Sequence, residues 1–153
     1  MCIRDSVVGA AAALAIHDPP LIIIDMGTAT TMTVIDREAR VLGGAIIPGV
    51  GISLEALANG TSQLPHISLD APKKCISTDT VEAMRSGSVY GTAAMLDGMI
   101  ERMEAELGEP AAVIATGGLG GCIIPYCRRE ITYDKNLLLN GLWALYQKNK
   151  RKR

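Results

Sequence analysis

The pattern of apolar and polar positions divides the chain into short blocks. An alanine-rich run, 7-VVGAAAALAI-16, predicts a helix, and His17-Asp18-Pro19-Pro20 ends it because proline cannot continue one. Residues 21–25 are a continuous aliphatic run closing on an aspartate, as in a strand covered on both faces. Residues 30–36 and 40–47 predict two more strands, joined by the polar hairpin loop 36-DREA-39, so the opening is a three-stranded meander. Residues 51–59 have the spacing of a short helix ending at Gly60, and residues 61–77 are irregular.

Asp79 with Glu82 three positions later is a capping-box-like helix start. Apolar residues at 81, 84, 95, 99, 103 and 107 carry the pattern on to Gly108. Gly87 and Gly91 are costly inside a helix and predict either close backbone approach or a break. Residues 111–115 read as another buried strand, ending in Thr116-Gly117-Gly118. A short helix over 119–128, a strand near 131–133 and a closing helix over 136–147 complete the chain. The order β-β-β-α-α-β-α-β-α predicts an α/β domain with a mixed sheet and flanking helices.

Composition narrows the function classes. With 153 residues the chain has room for one domain, and with no Phe and one Trp its core must be aliphatic. A net charge of −1 excludes neither an enzyme nor a binding module, but it argues against nucleic acid or a membrane surface as partner. The basic end, 148-KNKRKR-153, reads as a solvated tail. The cysteines at 2, 75, 122 and 127 lack zinc-site spacing and read as buried or half-buried thiols. Few cysteines and no signal-peptide pattern point to the cytoplasm. His17 and His66 fall in loops with no clear partner, and Met84, Met95, Met99 and Met103 read as core.

The chemistry concentrates in 25-DMGTATT-31. Strand ends in α/β sheets are where ligands bind, and a glycine there allows close approach of a phosphate oxygen. Gly27 and Thr28 are therefore candidate phosphate contacts. A carboxylate just upstream cannot face a bare phosphate, so Asp25 implies a cation held by oxygen ligands. β-Propensity alone explains Thr31 and Thr33 but not Asp25-x-Gly27-Thr28 after four aliphatics. Thr80 stands at a helix start, where free N–H groups and a hydroxyl can receive an anion or simply cap the helix. Thr116-Gly117-Gly118 reads either as a nucleotide-facing turn or as an ordinary strand-to-helix turn.

Asp-x-Gly-Thr on a hairpin resembles the phosphate loop of the superfamily of actin, sugar kinases and heat-shock chaperones. With 43-GGAIIPG-49, 64-LP-65, 78-TDTVEAMRSG-87, 114-IATGG-118 and 134-DKNLLLNGL-142 in the same order, the sequence resembles the type III pantothenate kinases over residues 7–147. The resemblance implies a ribonuclease-H-like (actin-like ATPase) domain, the second half of a duplicated fold. It implies transfer of the ATP γ-phosphate to pantothenate, giving 4'-phosphopantothenate in the first step of coenzyme A synthesis. It further implies Asp25 as ligand of a monovalent cation (K+ or NH4+), Gly27 and Thr28 as ATP contacts, Thr80 as a pantothenate contact, Mg2+ beside ATP, and a cytoplasmic homodimer with its pocket at the interface. The glycines of 43–49 help shape the substrate side, and none is expected to be catalytic.

The family's catalytic base is an aspartate in Gly-x-Asp-Arg, twenty residues before the cation ligand, a place held here by Asp5. Its glycine and arginine are missing, so residues 1–6 read either as carrying the base or as a foreign start joined to a partial chain. The family's first half, with its own Asp-x-Gly-Asn-Thr loop, has no counterpart, which predicts that the chain alone is inactive. Two rival readings are a superfamily kinase with another small substrate and a non-catalytic nucleotide-binding regulator, since family members have also been described as accessory factors for transcription.

Overall fold

The computed structural model describes residues 3–150. A five-stranded sheet has the order β3-β2-β1-β4-β5, built from β1 (Leu21–Met26), β2 (Ala29–Ile35), β3 (Val41–Pro48), β4 (Ala112–Thr116) and β5 (Thr132–Tyr133). β1 to β3 form the expected antiparallel meander, while β1–β4 and β4–β5 are parallel. The hairpin loop closes through Asp36, buried under the sheet end, which accepts from the Arg40 amide at 2.8 Å and from Arg40 Nε at 2.7 Å.

Helices α1 (Ile3–Leu14) and α5 (Leu137–Lys150) cover one face of the sheet, and α2 (Val50–Asn59) and α3 (Thr80–Leu107) cover the other. β1, central in the sheet with helices over both faces, is buried on both. Its even positions Ile22, Ile24 and Met26 pack with Leu96 and Ile100 of α3. Its odd positions Leu21 and Ile23 pack with Ala10 and Ala13 of α1 and Leu137 of α5. The core is aliphatic, with Met84 buried and Met95, Met99 and Met103 partly buried against it.

Several boundaries move. α1 begins at Ile3, ahead of the apolar run, and ends at Leu14. The segment expected to be a helix over 119–128 is one short helix, α4 (Gly120–Ile123), followed by a 3-10 turn at Ile124–Tyr126, because Pro125 interrupts the ladder. α5 continues to Lys150, so the first three residues of the expected basic tail are helical and residues 151–153 lie outside the described ones. α3 is one unbroken helix of 28 residues. A Cβ on Gly87 or Gly91 would meet nothing within 4 Å, so neither the break nor close backbone approach within the chain holds.

Candidate functional site

The carboxyl ends of β1, β3 and β4 meet at one end of the sheet, held there by glycines that tolerate no side chain. The β1–β2 turn, Gly27-Thr28, is exposed, and the Gly27 N–H is taken up by the Ala29 carbonyl at 3.1 Å. What Gly27 leaves open to an incoming group is therefore its bare Cα rather than its amide. Behind the turn, a Cβ on Gly49 would lie 2.1 Å from the Thr28 carbonyl oxygen. On the other side, Gly117 adopts φ +99°, and a Cβ there would lie 2.5 Å from the Met26 carbonyl oxygen. Gly117 is thus required both by its left-handed backbone and by the space it occupies.

Tyr133 braces the second of these turns. Its hydroxyl donates to the Gly117 carbonyl at 2.8 Å. Its ring lies over Gly120, where a Cβ would come 2.4 Å from the ring carbon Cε2. No pattern in the sequence singled out Tyr133 or Gly120, because their meeting joins β5 to a turn thirteen residues earlier. Of the three glycines in 43–49, two allow close backbone approach: Gly49, and Gly44, whose Cβ would lie 1.7 Å from the Met32 carbonyl oxygen.

Register explains the threonines. Asp25 pairs with Thr31 on β2 and with Thr116 on β4, while Ile23 pairs with Thr33. Directly opposed residues share a face, so one carboxylate and three hydroxyls collect on the α1/α5 side. They line a cavity of about 20 Å³ closed by Gly9 and Leu138, room for a single water or small ion. The donor set is all oxygen, the chemistry of a hard cation. Among the described residues no three His, Cys, Asp or Glu side chains gather to hold a metal, so an ion here rests on one carboxylate and neutral oxygens. That donor set fits a singly charged ion.

Thr80 belongs to a different hollow. It opens α3 and lines a cleft of about 660 Å³ between α2 and α3, with Pro48, Leu54, Met84 and Thr92. Gly87 and Gly91 lie along the same cleft, where their missing side chains keep it open. The Gly27-Thr28 turn stands at the rim, because Gly49, which it touches, joins the cleft residues Pro48 and Val50. Asp25 and Thr80 therefore serve opposite faces of the sheet. The side chain of Asp5 lies outside the described residues.

The start of α3 is strapped down. Asp79 caps it by accepting from the Glu82 amide at 2.9 Å. The Glu82 carboxylate does not complete a capping box; it accepts from Arg85 at 2.8 Å and from the Lys73 amide at 3.3 Å. Arg85 also donates to Asp70 at 2.8 Å, and the Ser86 hydroxyl donates to the Cys75 carbonyl at 2.6 Å. The irregular segment before α3 is thereby fixed beside Thr80. The Arg85 guanidinium, and after it the Lys73 amide, hold the Glu82 carboxyl below its ordinary value of 4.5. Of the cysteines, Cys75 and Cys122 are exposed, against the expectation of buried thiols. Cys127 is half-buried, and burial, aided by Asp97, pushes its thiol up to about 11.

A family model described as type III pantothenate kinase matches residues 4–102. A type III pantothenate kinase of Exiguobacterium sp. is 45% identical over 147 residues, covering 96% of this chain and 58% of the relative. That of Exiguobacterium sibiricum is 46% identical, covering 95% and 57%, and that of Rhodospirillum rubrum is 41% identical, covering 95% and 56%. The chain thus spans somewhat over half the length of these relatives. Among solved structures, a Baf family protein of Campylobacter jejuni, described as a transcriptional activator, superposes with a TM-score of 0.64 at 23% identity, covering 92% of this chain and 63% of that one. The activator of 2-hydroxyisocaproyl-CoA dehydratase from Clostridium difficile, solved with ADPNP, gives 0.54 at 14% identity, covering 97% and 68%. At these identities the likeness speaks for the fold, which is that of the actin-like ATPases.

Two outcomes follow. Gly120→Ala should destabilise the chain by about 1–3 kcal/mol through overpacking against Tyr133, and Tyr133→Leu in the same chain should recover part of that loss, measured by urea unfolding. Because the Glu82 carboxyl is held low, its contribution is complete above its ordinary value and is lost as pH falls through the lowered one. Amide exchange at the Lys73 N–H, which Glu82 accepts, should accelerate as pH falls below the ordinary 4.5 relative to the β1 core after correction for intrinsic rates. An unchanged ratio would remove Glu82 from the strap.

Proposed function

The chain belongs to the type III pantothenate kinase family, and on that premise we propose that it carries the second half of a site transferring the ATP γ-phosphate to pantothenate. One observation carries this reading: the carboxylate and hydroxyl oxygens of Asp25, Thr31 and Thr116 collect immediately before an exposed Gly27-Thr28 turn at the end of the central strand. A carboxylate beside a triphosphate is tolerable only with positive charge between them, and this oxygen set suits K+ or NH4+. Such an ion supplies charge neutralisation for the phosphates, and Asp25 with its threonine neighbours would hold it. Mg2+ accompanies ATP as its usual counter-ion.

Phosphoryl transfer asks the protein mostly for positioning and charge balance. The Thr28 hydroxyl donates to a phosphate oxygen, and the bare Cα of Gly27 allows that oxygen to come close. Thr80 offers a hydroxyl at a helix start to the pantothenate carboxylate. Asp5 takes the proton of the pantothenate primary hydroxyl as its oxygen attacks the γ-phosphorus and ADP departs. The family match begins at residue 4 and takes in Asp5, which supports this role. Asp25 and Thr80 face opposite sides of the sheet, and the Gly27-Thr28 turn, at the rim of the Thr80 cleft, stands between them. The reading includes a homodimer with the pocket at its interface. A cytoplasmic location follows from the biosynthetic role; no helix among the described residues is long and apolar enough to cross a membrane.

The reading predicts that the purified 153-residue chain releases no ADP with pantothenate and ATP. Supplying the portion of the Exiguobacterium kinase that precedes its matched segment should restore release, and Asp25→Asn should remove the K+ dependence of the restored rate. Robust turnover by the chain alone would contradict the half-site. Nucleotide binding without turnover, with the missing portion present and folded, would favour the non-catalytic regulator.

A further inference from the structure

The Tyr133 hydroxyl sets the direction of a backbone amide. It donates to the Gly117 carbonyl oxygen at 2.8 Å, and the Gly120 N–H approaches the same oxygen at 3.4 Å. That carbonyl is thereby turned toward β5 and the start of α4. The Gly117–Gly118 peptide is trans, since the one cis bond among the described residues is Pro19-Pro20. In a trans peptide the C=O and the N–H point to opposite sides. Fixing the Gly117 oxygen therefore aims the Gly118 N–H away from Tyr133. A peptide flanked by two glycines can otherwise rotate as a unit, because neither neighbour carries a Cβ. The ring needs no hydroxyl to fill the space over Gly120, so the hydroxyl adds orientation to packing.

The aim of that amide follows from the strand order. β4 lies between β5, which carries Tyr133, and β1, which runs into the Gly27-Thr28 turn. β1 and β4 are parallel, so both turns stand at carboxyl ends of the sheet. Gly117 packs on Met26, where a Cβ would come 2.7 Å from the backbone nitrogen. Gly118 is exposed, and a Cβ on it would meet nothing within 4 Å. Among the described residues no hydrogen bond takes up its N–H. We propose that Tyr133 is a positioning residue for the nucleotide: through the Gly117 carbonyl it holds the Gly118 N–H toward phosphate oxygens lying at Thr28. The proposal rests on the reading of Thr28 given above. It adds a residue from another strand that touches no substrate itself.

The test follows backbone amides of the full 153-residue chain, labelled with 15N, as ADP is added with Mg2+ and K+. The Thr28 and Gly118 amides should shift together with one dissociation constant. Tyr133→Phe, which keeps the ring and removes the hydroxyl, should raise that constant about 3- to 10-fold, the worth of one hydrogen bond. It should also shrink the Gly118 shift while Thr28 still responds. A merely structural role would lower the melting temperature and leave the dissociation constant of the folded chain unchanged, which would overturn the proposal. A Thr28 response with none at Gly118 would overturn it too, and needs no variant to be seen; either result leaves the reading of Thr28 standing. No response at either amide would overturn both.

Discussion

The close packing of backbone around the end of β1 is the constraint on which the site depends. Met26 is approached by Gly117 and Thr28 by Gly49, in both cases to distances that exclude a Cβ. Three strand ends are thereby drawn into one place, and the exposed turn between β1 and β2 is held from both sides. A burial pattern that covers β1 apart from half-buried Asp25 but leaves Gly27 and Thr28 open follows from the same geometry. Rigid elements then present a short polar turn, the arrangement by which α/β sheets bind ligands at strand ends.

Much of this was legible in the sequence. The run 21-LIIID-25 read as a strand covered on both faces, and it proved to be the central strand. The meander, the irregular stretch and the order of helices were readable from period and from proline and glycine punctuation. The excess of threonines was legible as chemistry but not as geometry. Only register shows that Thr31 and Thr116 flank Asp25 while Thr30 faces the other way.

Other features were hidden because they are made by contacts distant in sequence. Tyr133 acts on Gly117 and Gly120 from another strand, and nothing local announces it. Gly87 and Gly91 were expected to mark close backbone approach or a break, whereas they sit in an unbroken helix and line open space. Helix propensity is given up there, at roughly 1 kcal/mol per glycine, to keep a cleft clear. The exposed thiols of Cys75 and Cys122 likewise depend on where loops lie, which composition does not determine. The separation of Asp25 and Thr80 onto opposite faces was not readable at all, since it follows from which helices cover which side.

That separation gives the two faces different chemistry. One face offers oxygen ligands at the end of β1, the other an apolar cleft with a hydroxyl at its mouth, and α5 turns an aromatic stripe outward. The central claim is that Asp25 holds a singly charged ion against nucleotide phosphates at Thr28. Crystals of the chain with the portion of the Exiguobacterium kinase that precedes its matched segment, grown with a non-hydrolysable ATP analogue and thallium(I) in place of potassium, test it most directly. An anomalous peak within coordination distance of the Asp25 carboxylate and the Thr31 or Thr116 hydroxyl, with phosphate density at Thr28, is the predicted result. Phosphates bound elsewhere, or at Thr28 with no ion at Asp25, would contradict it.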